Sequence, residues 1–188
     1  MTQTAIDRRA APARVAMWAA ILAATALIGS WAFACVLPFA AFATVAARTL
    51  RLRDALATMG VIWVANQIVG LMLLDYPTDA NTLMWGVALG AAALLAVAVA
   101  HTVLHARALS IALPVWQRLP LAFVAAYAAY EALLIVVAQG LGGMETFTPA
   151  MVADVGLINV LWFAGLAVVA ELLMGKGLLA VPAQNVSA

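Results

Sequence analysis

Between Val15 and Ala47 the chain carries no charged residue over 33 positions. A helix needs about 20 apolar residues to cross the hydrocarbon core of a bilayer. The run is therefore too long for one span and short for two. Gly29-Ser30 and Pro38 interrupt it. It reads either as one long broken helix or as two short helices in a tight hairpin.

Four more apolar stretches follow, and turn or charge signals bound each of them. The first runs from Ala55 to Leu74 and stops at Asp75-Tyr76-Pro77. The next runs from about Thr82 to Leu104, the third from Pro120 to Leu141 and the last from about Met151 to Leu173. Residues 109–119, with Pro114, Trp116, Gln117 and Arg118, read as an interfacial connector. Composition agrees: 68% of residues are hydrophobic and 9% charged, against about 25% charged in a soluble domain. Mean hydropathy is +1.10. The bilayer has to be the solvent for most of this surface.

Charge placement sets a topology. All nine Lys and Arg residues can lie on one side: Arg8, Arg9, Arg14, Arg48, Arg51, Arg53, Arg107, Arg118 and Lys176. The opposite loops hold Asp75, Asp79, Glu145 and Asp154 and no basic residue. This positive-inside pattern requires residues 15–47 to cross twice or re-enter. The expected fold is an all-α integral membrane protein, a bundle of six transmembrane segments with the first two short. Residues 1–14 and 175–188 are read as cytoplasmic tails and 15–174 as one membrane domain, multi-pass in a bacterial inner membrane.

Several function classes drop out. There are no basic runs with interleaved aromatics, so nucleic acid is not an expected partner. There is no phosphate loop, no Ser/His/Asp arrangement and no paired-acid site, so an enzyme is the less favoured reading. Cys35 is the only cysteine, which leaves no internal disulfide and no CxxC knuckle. Ala32 stands where a lipoprotein cleavage site has an aliphatic residue, and the flanks stay apolar.

Polar residues at membrane depth are the candidate site. Asn66 and Gln67 are adjacent carboxamides whose side chains point about 100° apart on a helix, and both need partners in hydrocarbon. They serve as interhelical glue or as ligand contacts. Tyr127 and Glu131 stand at i, i+4 with Tyr130 beside them. A carboxylate in the bilayer core is a site hypothesis by default. Asn159 and Gln139 are expected to face the same interior. His101 and His105, also i, i+4, share a face and are either an interfacial pair or two ligands for one metal ion. Cys35 is either a small hydrophobe or a soft metal ligand. Gly86 with Gly90, Ala16 with Ala20 and Ala24, and Ala19 with Ala23 form small-residue stripes that permit close helix packing. They fit either internal packing or a docking face.

The phrases Cys35-Val-Leu-Pro38-Phe39-Ala-Ala and Trp63-Val-Ala-Asn66-Gln67-Ile-Val-Gly70, followed by Asp75-Tyr76-Pro77 and Trp85-Gly86, resemble the BtuM-type cobalamin importers. These are similar to the substrate-binding S-components of energy-coupling-factor transporters. The likeness covers mainly residues 30–90. It implies a six-helix bundle and a corrinoid substrate whose cobalt can take a cysteine thiolate as lower axial ligand. Cys35 is the only sulfhydryl available for that role. The expected function is binding and uptake of a corrinoid from the outer side, through an outward pocket built from Asn66, Gln67, Asp75, Tyr76, Tyr127, Tyr130 and Glu131. Cobalamin is then substrate rather than tightly bound cofactor. Any energising subunit or ATPase has to be a separate chain. The alternatives are a cobalt or nickel permease component using His101 and His105, or an assembly subunit of a larger membrane complex.

Overall fold

The computed structural model describes the backbone of residues 3–32 and 37–179 and the side chains of residues 13–29 and 37–179. Among the described residues all regular structure is helical. Helix α1 spans Gln3–Ala32, α2 Phe39–Thr49, α3 Leu52–Ile68, α4 Ala80–His105, α5 Arg107–Ala112, α6 Val115–Leu141 and α7 Pro149–Gly175. Among the described residues four stretches are long and apolar enough to cross a membrane: Leu52–Leu73, Ala80–His105, Val115–Leu141 and Pro149–Gly175. They correspond to the four later apolar segments of the sequence.

The charge-free run resolves into two elements. α1 continues through Gly29-Ser30 and α2 starts after Pro38. Residues 33–36, including Cys35, lie outside the described residues. α2 starts directly after Pro38, because proline has no N–H to bond backwards and suits a helix start. The segment read as an N-terminal tail is helical from Gln3. Its Ala- and Arg-rich composition favours helix.

α2 is the centre of the bundle. Every one of its residues except Arg48 is buried. It packs against α3, α4, α6 and α7. Its 11 residues span about 16 Å, roughly half of a 30 Å hydrocarbon core. Its alanines let neighbouring backbones close in, which is the main source of helix affinity in lipid. α4 answers with Ala88, Ala92, Ala96 and Ala100, all buried and four residues apart. On α1 the buried line is Trp18, Leu22 and Ala26. Ala16, Ala20 and Ala24 are exposed, so that stripe does not serve internal packing.

Direct bonds tie the basic residues to one end. Trp18 Nε1 donates to Thr49 Oγ1 at 2.9 Å, which sets the start of the apolar part of α1 level with the end of α2. Arg14 reaches the Gly177 carbonyl at 3.5 Å, and Arg48 pairs with Glu171 at 3.5 Å. Arg118 Nη1 donates to the Leu104 carbonyl at 2.7 Å. The C-terminal ends of α2, α4 and α7 and the start of α6 therefore share one end of the molecule.

α3 ends in a wider turn. Val69–Leu73 is π-helical, Leu74 N–H bonds the Val69 carbonyl and Tyr76 N–H the Gly70 carbonyl. Asp75 takes a left-handed φ of 51°, a conformation Asp tolerates better than most residues, and Pro77 follows. Asp79 then caps α4, its carboxylate accepting from Thr82 N–H at 3.0 Å.

Candidate functional site

At the end of the bundle away from those basic contacts, the structure holds a half-open cavity of about 250 Å³. Leu37 and Phe39 supply one wall from the start of α2, and Leu89 of α4 another. Tyr130, Glu131 and Leu134 come from α6. Thr146 and Phe147 come from the short connection to α7, and Met151, Val152 and Val155 from α7 itself.

Each wall has a local cause. Phe39 stands at the first turn of α2, whose N-cap Pro38 offers no side-chain acceptor. Asn159 on α7 supplies one: its Oδ1 accepts from Ala41 N–H at 3.3 Å, while its Nδ2 donates to the Val155 carbonyl at 3.0 Å. Asn159 is 2% exposed. It fastens the helix carrying Phe39 to the helix carrying Val155. The connection after α6 turns on Gly142 and Gly143, with φ of 84° and 95°, which only glycine adopts freely. Thr148 then caps α7 by accepting from Met151 N–H.

The expected constellation is divided. Tyr130 (7% exposed) and Glu131 (9%) line the cavity. Tyr127 lies beside it. Its hydroxyl donates to the Val152 carbonyl at 2.7 Å, and Glu131 stands one turn further along the same helix. Asn66, Gln67, Asp75 and Tyr76 are not among its lining residues. Asn66 is buried on α3 and engaged by a partner, as is the exposed Tyr76. Gln67 leans on α4, its Oε1 only 2.5 Å from where a Cβ on Gly86 would stand. Asp75 is exposed at the helix end, and Gln139 is exposed rather than interior.

His101 and His105 stack with ring centroids 4.0 Å apart. His105 Nδ1 is 2.8 Å from the His101 carbonyl, which can only accept, so Nδ1 carries the hydrogen. Among the described residues no group of three or more His, Cys, Asp or Glu could hold a metal ion. The pair presents two ligands at most and acts locally to satisfy the last turn of α4.

Sequence reasoning did not select Phe39, Leu89 or Phe147 for the site, and nothing in their apolar surroundings distinguishes them. Asn159 had a usable signal: a lone amide in an apolar helix, beside a chain whose helix start at Pro38 lacks a capping side chain.

Among the described residues the fold is all-helical, with four helices long and apolar enough to cross a membrane, and it holds a small chamber with a carboxyl group in its wall. No protein-family model, curated protein or solved structure matches the chain.

Proposed function

We propose that this protein binds a corrinoid at the outer end of a six-segment bundle and takes it up across a bacterial cytoplasmic membrane. The observation that carries the reading is the cavity: its first wall, Leu37 and Phe39, follows Cys35 directly in the chain, and its opposite wall holds Tyr130 and Glu131. Apolar walls with a few polar groups suit a broad ligand fringed with amides. A carboxyl and a phenol hydroxyl can each hydrogen-bond a ligand amide. Cys35, the only thiol in the chain, is in this reading the ligand of cobalt.

In this topology α2 is a half-depth segment and α5 lies in the interface. Both termini are cytoplasmic, on the side of the basic residues, and the cavity faces outward. The volume of about 250 Å³ is below the range of about 300–1,000 Å³ for a drug-sized ligand. A corrin ring needs the mouth to widen, and the exposed connection from Gly142 to Thr148 is the wall best able to give. Energy for uptake comes from a separate membrane subunit or ATPase, since the chain holds no nucleotide motif.

The test is the visible spectrum of the purified protein incubated with cobalamin and then desalted. Retained, red-shifted cobalt absorption is expected, with affinity lowered about five- to 150-fold in Tyr130→Phe or Glu131→Leu, the effect of losing one buried polar contact. Cys35→Ala should abolish the spectral shift, and His101→Ala should change nothing. Absence of retained cobalamin in the unmutated protein rejects the reading.

A further inference from the structure

The chamber between α2, α4, α6 and α7 holds an acid and no base to answer it. Glu131 is 9% exposed and lines the cavity. Among the described residues none that lines it is basic, and ion pairing is confined to Arg48 with Glu171 at the basic end. Arg118, the basic residue on the same helix, stands more than three turns earlier, about 20 Å along the axis. That is too far to offset the cost of burying a carboxylate. An acid kept at membrane depth without a basic partner marks a site, and what this one lacks is a cation.

The walls select the kind of cation. Phe39, Tyr130 and Phe147 set three aromatic rings around the space, and Phe39 and Tyr130 have centroids 6.0 Å apart. Such rings attract an organic ammonium within about 6 Å of the centroid, more strongly where water is excluded. A metal ion is served less well, since it takes several oxygen or nitrogen ligands. Among the described residues no group of three or more His, Cys, Asp or Glu could hold one. The volume of about 250 Å³ lies under that of drug-sized sites, so the ion is small.

The walls are also held before any ligand arrives. Phe147 stacks on Trp85 with centroids 6.5 Å apart, and Tyr127 ties α6 to α7 through the Val152 carbonyl. Rings already in place lose less freedom on binding. The approach has the matching sign. Asp75, Asp79, Glu145 and Asp154 are all exposed, and Glu145 directly precedes the lining residues Thr146 and Phe147. An acidic rim raises the local concentration of cations and their rate of entry.

We propose that the chamber is a binding site for a small organic ammonium ion, with Glu131 as its counter-charge and Phe39, Tyr130 and Phe147 as its aromatic walls. The proposal stands apart from the corrinoid reading. The ion fits the chamber at its present width, whereas a corrin ring needs the mouth to widen.

The probe is radiolabelled choline, equilibrated by dialysis against the purified full chain in detergent. Saturable binding at one site per chain is expected. Unlabelled tetramethylammonium should displace it. The neutral analogue of choline in which carbon replaces nitrogen, equal in shape and without the charge, should not. Glu131→Gln should weaken binding about tenfold or more, the effect of removing a buried charge partner. Phe147→Leu should weaken it about two- to thirty-fold, the range of one cation–π contact. Glu171→Gln, at the far end, should bind as the unmutated protein does. Displacement is measured on the unmutated chain, so the outcome does not depend on whether a variant folds. No saturable binding, equal displacement by the neutral analogue, or full affinity in a folded Glu131→Gln overturns the proposal. None of these results alters the cobalamin spectrum, and a chain that retains no cobalamin is still able to bind choline.

Discussion

The indole Nε1 of Trp63 donates to the main-chain carbonyl of Gly86 at 2.8 Å, across the contact between α3 and α4. The ring can lie there because the next turn of α4 also presents a glycine. A Cβ on Gly90 would stand 2.6 Å from Trp63 Cε2, and one on Gly86 would meet Gln67. The Gly86/Gly90 pair is thus filled from within the chain.

Gly90→Ala should therefore destabilise the protein by about 1–3 kcal/mol, the usual cost of overpacking a close contact. Gly86→Ala should cost less, because the end of the Gln67 side chain can swing aside. Gly60→Ala, with no atom within 4 Å of the added methyl, should be neutral or stabilising by up to about 1 kcal/mol. Thermal unfolding of the three variants in one detergent checks the order.

Asn159 shares the Ala41 N–H with the Pro38 carbonyl, which accepts it at 3.0 Å. Asn159→Leu removes only one of two acceptors, so the expected loss is about 0.5–1.5 kcal/mol. Asn159→Asp keeps the acceptor and should hold α2 in place. Hydrogen exchange at Ala40–Phe42 should speed up in the leucine variant. Unchanged protection there would show that the Pro38 carbonyl suffices.

The pH response of the start of α4 follows from Asp79. The Thr82 backbone N–H above all, and then the Thr82 hydroxyl and the Asn81 N–H, hold its carboxyl below the ordinary carboxylate range, against an opposing desolvation that is second in weight only to the Thr82 N–H. A depressed folded value means that the stabilisation is present above the unfolded value and is lost as pH falls through the folded one. Amide protection of the first turn of α4 should be constant above about pH 5 and decline in acid below about pH 4. Asp79→Asn, still a good cap, should remove the decline.

The parts that could be read from sequence are those that depend on one segment alone. The four long helices are apolar runs closed by Asp75–Pro77, by Asp79, by Gly142-Gly143 and by Thr148-Pro149, and each closing signal acts within a few residues of itself. Tyr127, Tyr130 and Glu131 were legible because spacing places them together on any helix. The burial of α2 was not, since its polar line of Thr44, Arg48 and Thr49 reads as an outward face, whereas neighbouring helices surround it and all its residues but Arg48 are buried. Asn66 and Gln67 look alike as neighbours in sequence, but Gln67 packs toward the gap above Gly86, a relation set by α4. The cavity walls come from α2, α4, α6 and α7, and no single-segment pattern joins Phe39 to Phe147.

The last expectation separates two arginines at the basic end. Arg118 is 7% exposed, and its Nη1 bonds the Leu104 carbonyl at 2.7 Å, one of the carbonyls that the end of α4 leaves without a helical partner. A cation there also opposes the negative end of the helix dipole. Arg48 meets Glu171 at 3.5 Å, with the glutamate half exposed. Burial decides the difference. Arg118→Met should cost about 1–3 kcal/mol, because it removes a buried charged hydrogen bond. Glu171→Gln should cost at most about 1 kcal/mol, as for an exposed pair. Raising salt from about 0.1 M to about 1 M shortens the screening length from roughly 10 Å to 3 Å. That should erase most of the Glu171 effect and leave the Arg118 effect. Unfolding curves of both variants at the two salt levels check this, and an Arg118→Met deficit that vanishes in high salt would mean that its guanidinium is open to solvent.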